Sequence, residues 1–307
     1  MTSLDLSTEP AAKPTATYAF ALLVLTGCLL ALAVLLSKLA ATQAAPMLWY
    51  LAAAMGGSGL ILTVDALRRG EAGGRPLAIL GYSLGAGALM ALGSMLGYLT
   101  VGRVGAAFLA LAMAFPTLLT YLLSLVLGMD KLQPLRLLGV AAGLSGGLWL
   151  ALAKGGQSLP VDLPAVIAAS AMPLVLAIGN VYRTRYWPRE GTPRLLAGVM
   201  LLMGAVVTVP IAWWHDGPAT LATLWTRPAL AHILVVAILS FTLQYLAFFR
   251  LQQIAGPVYL SQIGSVAAVV GSLVAVVVFG ESLPSGFIPA AACIALGIAF
   301  FQTSASR

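Results

Sequence analysis

The sequence predicts an all-α membrane protein whose ten transmembrane helices form two inverted five-helix repeats around a central cavity. Three observations lead to this fold: an apolar composition, ten separate apolar segments, and an even segment number that divides into two sets of five. Of the 307 residues, 61% are hydrophobic and 8% are charged. Soluble domains carry about 25% charged residues, so a water-soluble core does not account for this composition.

Ten apolar segments each approach the roughly 20 residues that a helix needs to cross the hydrocarbon core of a bilayer. They cover residues 17–41, 46–64, 77–99, 104–127, 132–153, 163–182, 194–213, 229–250, 257–279 and 284–303. Most of them begin at or near a proline, where the missing backbone N–H costs least. These prolines are Pro46, Pro76, Pro134, Pro164, Pro193, Pro228, Pro257 and Pro284.

The segment at residues 17–41 follows a polar stretch, residues 1–16. This stretch lacks a basic cluster, and the apolar run after it is longer than the core of a signal peptide. We therefore expect a cytoplasmic tail followed by a permanent helix.

Basic residues predict the orientation of the chain, because cytoplasmic loops of membrane proteins carry most of the lysine and arginine. With a cytoplasmic amino terminus, the opposite side receives only Lys38, Arg103, Lys154 and Arg227 of the 16 basic residues. The cytoplasmic side receives Lys13, Arg68, Arg69, Arg75, Lys131, Arg136, Arg183, Arg185, Arg189, Arg194, Arg250 and Arg307. Both termini are then cytoplasmic in a bacterial inner membrane, and the arginines near helix ends, Arg183 included, are interpreted as topology determinants or snorkelling anchors.

Two sets of five spans place the second half of the chain upside down relative to the first, which is an inverted repeat. The predicted units are residues 17–153 and 163–303, joined by a loop at 154–162 and followed by a cytoplasmic tail at 304–307. A shift of 151 residues aligns the last two spans of each unit without a gap. It pairs Gly105 with Gly256, Phe108 with Tyr259, Asp130 with Glu281, Leu132 with Leu283 and Gly146 with Gly297.

The run from Val104 to Gly147 carries Phe115-Pro116 inside a helix and Gly128-Met129-Asp130-Lys131-Leu132 at its end, and Phe279-Gly280-Glu281-Ser282-Leu283 repeats that ending. These runs resemble the repeat unit of the drug/metabolite transporter superfamily, of the EamA type. Within it the chain is most similar to YddG-type exporters of aromatic and other neutral amino acids. The resemblance implies a secondary transporter that works by alternating access. The chain departs from the family pattern at Asp130, where Glu is usual, and at Met47-Leu48-Trp49-Tyr50, which lacks the common basic residue.

Acidic residues are expected to lie outside the membrane. All nine fall in predicted termini or connections, so no carboxylate is expected at membrane depth to carry a proton or to bind a cation. This pattern argues against a multidrug antiporter of the small four-helix type, which depends on a membrane-embedded Glu. It favours transport down the gradient of the substrate itself.

The sequence does not predict an enzyme, a metal site or a cofactor. Cys28 and Cys293 lie in apolar stretches near opposite ends of the chain, and neither has a ligand-spaced partner. No phosphate-binding glycine motif and no paired membrane carboxylates are present. The net charge of +7 is distributed among short connections, which excludes a nucleic-acid-binding patch.

Neutral polar and aromatic side chains at membrane depth are the candidates for substrate contact, because they can bind a zwitterion without burying a net charge. Phe241, Gln244 and Tyr245 lie on the eighth predicted span, and Gln262 and Ser265 share one face of the ninth. The alternative interpretation is that the amides and hydroxyls bond neighbouring helices as packing contacts.

Four further residues are candidates for the same cavity. Tyr82 and Tyr98 are separated by sixteen residues on the third span, which places them roughly 160° apart on a straight helix, so only one of them can face a cavity. Asn180 lies near the cytoplasmic end of the sixth span. Lys38 either binds a substrate carboxylate or anchors the first span at the external surface.

The predicted function is therefore export of small neutral metabolites, most of all aromatic and other neutral amino acids. Nucleotide-sugar carriage is the alternative, because that branch shares the ten-helix plan, and it calls for basic residues facing the cavity. The expected partners are an amino acid and the lipid bilayer, with the chain working as a monomer and a dimer as the alternative.

Overall fold

The computed structural model describes residues 16–71, 75–113, 115–139, 141–142, 145 and 163–279, with short stretches at 288–289, 292–293, 295–297 and 299–300. Every element of secondary structure in this part of the chain is helical. The helices are α1 (Ala16–Thr42), α2 (Met47–Arg68), α3 (Pro76–Ala112), α4 (Phe115–Val126), α5 (Leu163–Arg185), α6 (Pro193–His215), a 3-10 helix (Pro218–Ala222), α7 (Thr223–Thr226), α8 (Pro228–Ser261) and α9 (Ile263–Phe279).

Six of the described helices are long and apolar enough to cross a membrane. They contain the predicted spans at 17–41, 77–99, 163–182, 194–213 and 229–250, and that at 46–64 except for Pro46, while α4 and α9 are shorter apolar helices. The fifth and tenth predicted spans fall mostly outside the described residues, although residues 134–139 are helical. The count of ten helices and the full inverted repeat therefore stay predictions.

Helices α3 and α8 continue beyond residues 99 and 250, where the sequence predicted connections. Those predicted loops are wrong, because the chain stays helical up to a sharp bend. In α8 the bend is at Gly256, whose φ of 76° is non-helical and directly precedes Pro257. In α3, a Cβ placed on Gly97 would lie 3.4 Å from a side-chain carbon of Leu109. A straight helix separates residues twelve apart by about 18 Å, so α3 turns back between these two positions.

The backbones of α2 and α6 approach each other closely where the two helices cross. A Cβ on Gly59 would lie 2.7 Å from the backbone nitrogen of Leu202, and a Cβ on Gly198 would lie 2.7 Å from the backbone nitrogen of Thr63. Backbone therefore meets backbone at this crossing, which only small residues permit.

Glycines recur four residues apart on α3, at Gly81 and Gly85 and at Gly93 and Gly97, and this spacing predicts close approach to another helix, either within the chain or in a dimer. Gly85 and Gly93 do meet neighbouring side chains, of Tyr182 and Leu176. Among the described residues, a Cβ on Gly81 would have nothing within 4 Å, so Gly81 does not serve packing within this part of the chain.

Ion pairs tie α2 to α6 at one end of the crossing. Arg194, in the first turn of α6, pairs with Glu71 at 2.5 Å and with Asp65 at 2.8 Å. The hydroxyl of Thr192 also donates to Glu71, at 2.7 Å. Asp65 was predicted to lie in a connection, but α2 extends far enough to include it in its last turns.

A helix cap ties the same two helices at their other end. Helix α2 begins after Pro46, which offers no side-chain cap. The Asp216 carboxylate, just after α6, accepts hydrogen bonds from the backbone nitrogens of Leu48 and Trp49 at 2.8 and 3.2 Å. A negative group at a helix amino terminus satisfies unpaired donors and opposes the helix dipole. Helices α2 and α6 are thus fixed together along their whole length.

The packing between the two halves is reciprocal. Helix α3 packs against α5 and α6, and α8 packs against α1 and α2. A two-fold relation between the halves would produce such matching contacts, since whatever the third helix of one unit meets in the other unit is then repeated by its counterpart. The helices α1, α3, α5, α8 and α9 surround the central space of the molecule.

Candidate functional site

A cavity of about 110 Å³ lies between α1, α3, α5, α8 and α9. A buried water occupies roughly 10–15 Å³ by this measure, so the space has room for several of them or for a small molecule. Its wall is mostly aliphatic, and the described lining contains no residue of α2 or α6. The chemistry of the site is concentrated in a few polar and aromatic side chains.

The aromatic wall comes from one face of α8. Phe241, Tyr245 and Phe248 follow at intervals of four and three residues, which places them one above another on a helix. Their neighbouring ring centroids are 5.5 and 5.7 Å apart. Tyr98 of α3 adds a fourth ring, packed 6.0 Å from Tyr50. Rings at these separations form a surface on which an apolar or aromatic group can pack.

The polar end of the cavity is formed by the last turns of α5. Arg183 is only 2% exposed, and its Nη2 donates to the side-chain oxygen of Asn180 at 2.6 Å. The amide nitrogen of Asn180 donates to the hydroxyl of Thr120 at 3.4 Å. The guanidinium carbon of Arg183 lies 5.1 Å from the ring centroid of Phe248, within range of a cation–π interaction.

Interhelical hydrogen bonds fix the backbone around Arg183. The amide nitrogen of Gln252 in α8 donates to the carbonyl of Asn180 at 3.2 Å and to the hydroxyl of Thr184 at 2.9 Å. From α3, the Tyr82 hydroxyl donates to the carbonyl of Arg183 at 3.3 Å. The position of the guanidinium is therefore set by three helices.

Arg183 was predicted to be a topology determinant in a cytoplasmic connection, and that interpretation is wrong. Helix α5 continues to Arg185, and Arg183 points into the protein and lines the cavity. Arg183 lies in the last turn of α5, where a side chain that points outward could reach the membrane surface, so its burial against the cavity is a property of the packing and not of its position along the helix. The helical spacing of Met172, Leu176, Asn180 and Arg183, which all line the cavity, is the sequence signal that locates it.

Two buried polar atoms of the lining have no hydrogen-bond partner among the residues that the structure describes. They are Nε of Arg183 and the amide oxygen of Gln244, which is 3% exposed. Within the described residues, Arg183 forms no ion pair, and it is the one charged side chain of the lining. Buried polar groups are normally paired, so these atoms are available to a ligand.

Five of the nine residues predicted for the site line the cavity: Tyr98, Asn180, Phe241, Gln244 and Tyr245. The two tyrosines of α3 diverge as their spacing predicts. Tyr98 lines the cavity, whereas Tyr82 stacks on Tyr182 with ring centroids 6.1 Å apart. Tyr82 therefore contacts the backbone of Arg183 from outside the lining.

The other three predicted residues also lie outside the lining. Gln262 and Ser265 are buried where α8 passes into α9, next to the lining residues Ile263 and Gly264. Lys38 is partly buried and follows Ser37, which does line the cavity. The carbonyl of Gln262 accepts hydrogen bonds from the backbone nitrogens of Ser265 and Val266, so Gln262 belongs to the first turn of α9, but neither Gln262 nor Ser265 is among the described residues that line the cavity.

Residues 163–303 match the EamA-like transporter family. The match covers 141 of the 307 residues, and over this second half of the chain it agrees with the resemblance to EamA-type transporters. No functionally curated protein matches the sequence. One solved crystal structure of a protein has the same fold with a TM-score of 0.73 at 19% identity, and the alignment covers 96% of this chain and 99% of the other. At this identity the similarity describes the fold alone.

Proposed function

We propose that the chain is a secondary transporter that carries small neutral amino acids, above all aromatic ones, out of the cell across the bacterial inner membrane by alternating access. The observation that supports this proposal is the composition of the cavity. One wall presents Tyr98, Phe241, Tyr245 and Phe248, and the polar groups of Asn180, Arg183 and Gln244 lie at the same space. An aromatic amino acid offers the matching pair of surfaces, an apolar ring and a compact zwitterionic group.

Nucleotide-sugar carriage is the alternative, and Arg183 is the observation in its favour, since it is a basic residue that lines the cavity. A diphosphate carries at least two negative charges. Arg183 supplies one positive charge, and it is the one charged side chain among the described lining residues. The charge therefore favours the amino acid.

The proposed mechanism is transport down the gradient of the substrate. No Asp or Glu occurs among the described residues that line the cavity. The described carboxylates that tie α2 to α6, Asp65, Glu71 and Asp216, lie at the helix ends, away from this space. Proton coupling would require a group that gains and loses a proton during the cycle.

A flux panel in proteoliposomes tests the substrate and the driving force together. We expect counterflow of phenylalanine and tryptophan, weaker counterflow of threonine and methionine, and none of a nucleotide sugar or a hydrophobic cation. Counterflow should persist with a protonophore and without a pH gradient. Uptake of the nucleotide sugar alone would overturn the substrate class, and accumulation that depends on a proton gradient would overturn the downhill mechanism.

The proposed orientation gives a second expectation, which rests on the distribution of basic residues. A reporter fused after Arg307 should be active only in the form that detects the cytoplasm. A reporter inserted next to Asp216 should give the external signal. The reverse pattern would contradict both the orientation and the inverted repeat.

A further inference from the structure

The buried positive charge of Arg183 lacks a partner of opposite sign in the described part of the chain. We propose that Arg183 binds the carboxylate of the transported molecule and that the amide oxygen of Gln244 accepts a hydrogen bond from its ammonium group. The substrate class is then the α-amino acids with an uncharged side chain. This inference rests on the proposed transport function and adds the recognition of the backbone groups of the amino acid.

The charge balance of the site is the first argument. Burial of an ion is unfavourable unless hydrogen bonds and an opposite charge accompany it. Asn180 and the ring of Phe248 supply neutral contacts to Arg183. A bound carboxylate would place a negative charge directly beside the guanidinium, while the ammonium group of the zwitterion would lie at the neutral oxygen of Gln244. The net charge of the site stays at +1, but the buried guanidinium gains the ion pair that it lacks among the described residues.

The geometry of the guanidinium is the second argument. It has five N–H donors in one plane, and a carboxylate accepts two of them in parallel. The structure shows one of these donors in use within the described residues, in the bond to Asn180, while Nε is unpaired. Asn180 is held in turn by Thr120 and, through its carbonyl, by Gln252. Asn180 is therefore a positioning residue that orients Arg183.

The surroundings of Gln244 complete the site. Its unpaired amide oxygen lies on the same helix face as Phe241, Tyr245 and Phe248. An ammonium group can donate to this oxygen and is also attracted to the faces of aromatic rings. Since Arg183 is positive, a free amine or an amino amide would place a second cation in the cavity with no negative group between them.

The test compares binding of four ligands to the purified full-length chain in detergent: phenylalanine, phenylalaninamide, phenethylamine and 3-phenylpropionate. We expect phenylalanine to bind about 10-fold or more tightly than the amide and the amine, because these lack the carboxylate. The propionate, which lacks only the ammonium group, should rank second. Equal affinity for phenylalanine and phenylalaninamide in the native chain would overturn the proposal without any variant.

Three variants assign the discrimination to Arg183. In Arg183→Met the preference for phenylalanine over its amide should fall to about 2-fold or less, and Arg183→Lys should restore the ranking in part because it keeps the charge. Arg185→Met is the matched control, since Arg185 is exposed on the same helix, and it should bind as the native chain does. If Arg183→Met still prefers phenylalanine over its amide as the native chain does, the assignment of carboxylate binding to Arg183 is wrong. Failure of the native chain to bind any amino acid would instead overturn the proposed function.

Discussion

Gln244→Leu is expected to lower the flux of phenylalanine by about 5- to 150-fold, because a substrate that loses a buried hydrogen-bond partner loses about 1–3 kcal/mol of binding. Flux is measured in proteoliposomes and normalised to the amount of folded protein. Gln253→Leu is the matched control, since Gln253 lies on the same helix but is exposed, and its flux should be unchanged.

Stability separates this prediction from the interpretation of Gln244 as a packing residue. A lost hydrogen bond between membrane helices averages about 0.6 kcal/mol. The structure shows Gln244 without such a bond among the described residues, and its amide oxygen is buried and unpaired. Replacement by leucine removes an unsatisfied polar group, so the melting temperature should stay constant or rise while the flux falls. A variant that melts lower and still transports normally would return Gln244 to a packing role.

Much of the fold follows from the sequence because hydropathy is a local property of the chain. A run of about 20 apolar residues crosses a membrane whatever its neighbours are, and six described helices lie where such runs were predicted. The residues at which the helices end are predicted less accurately from hydropathy than the helices themselves. The chain stays helical through 100–103 and 251–255, since nothing in those stretches forces the backbone out of a helix before the bend.

Part of the site could also be predicted from the sequence. The face of α8 with Phe241, Gln244 and Tyr245 was predicted to line a cavity, because helical spacing places these side chains together. The burial of Arg183 could not be predicted in the same way. A rule that counts basic residues at span ends treats all of them alike, whereas the burial of Arg183 depends on α3 and α8 closing over the last turn of α5.

The contacts of glycines also show that the sequence does not identify which helices pack against each other. The sequence identified glycines four apart on α3, yet a close backbone crossing lies between Gly59 of α2 and Gly198 of α6, which are distant along the chain. Glycines four residues apart show that one face of a helix lacks side chains and can approach another backbone closely. It does not show which other helix lies against that face, and Gly81 has no neighbour there.

Stability and substrate recognition should be separable, because they depend on different helices. Helices α2 and α6 are joined at their glycine crossing, at Arg194 and at Asp216, and neither contributes to the described lining of the cavity. The cavity is built by the helices that pack around this pair. A change at the crossing should therefore affect the amount of folded protein and leave the preference among ligands unaltered.

Gly198→Ala tests this separation. The added Cβ would lie 2.5 Å from the hydroxyl of Thr63 and 2.7 Å from its backbone nitrogen, so α2 and α6 must move apart. Overpacking of this kind costs about 1–3 kcal/mol. We expect Gly198→Ala to melt at a lower temperature in detergent, while the ratio of its affinities for phenylalanine and phenylalaninamide stays that of the native chain. Gly198→Leu should prevent accumulation of folded protein.

Gly81→Ala is the control, and its expected change in melting temperature has the opposite sign. Gly81 is exposed on α3 and a Cβ there meets nothing within 4 Å. Alanine is favoured over glycine in a helix by about 1 kcal/mol, so this variant should melt at the native temperature or slightly above it. Because the two substitutions are chemically identical, the difference between their melting temperatures measures the backbone contact alone. Equal melting temperatures for the two variants would show that α2 and α6 do not meet at Gly198.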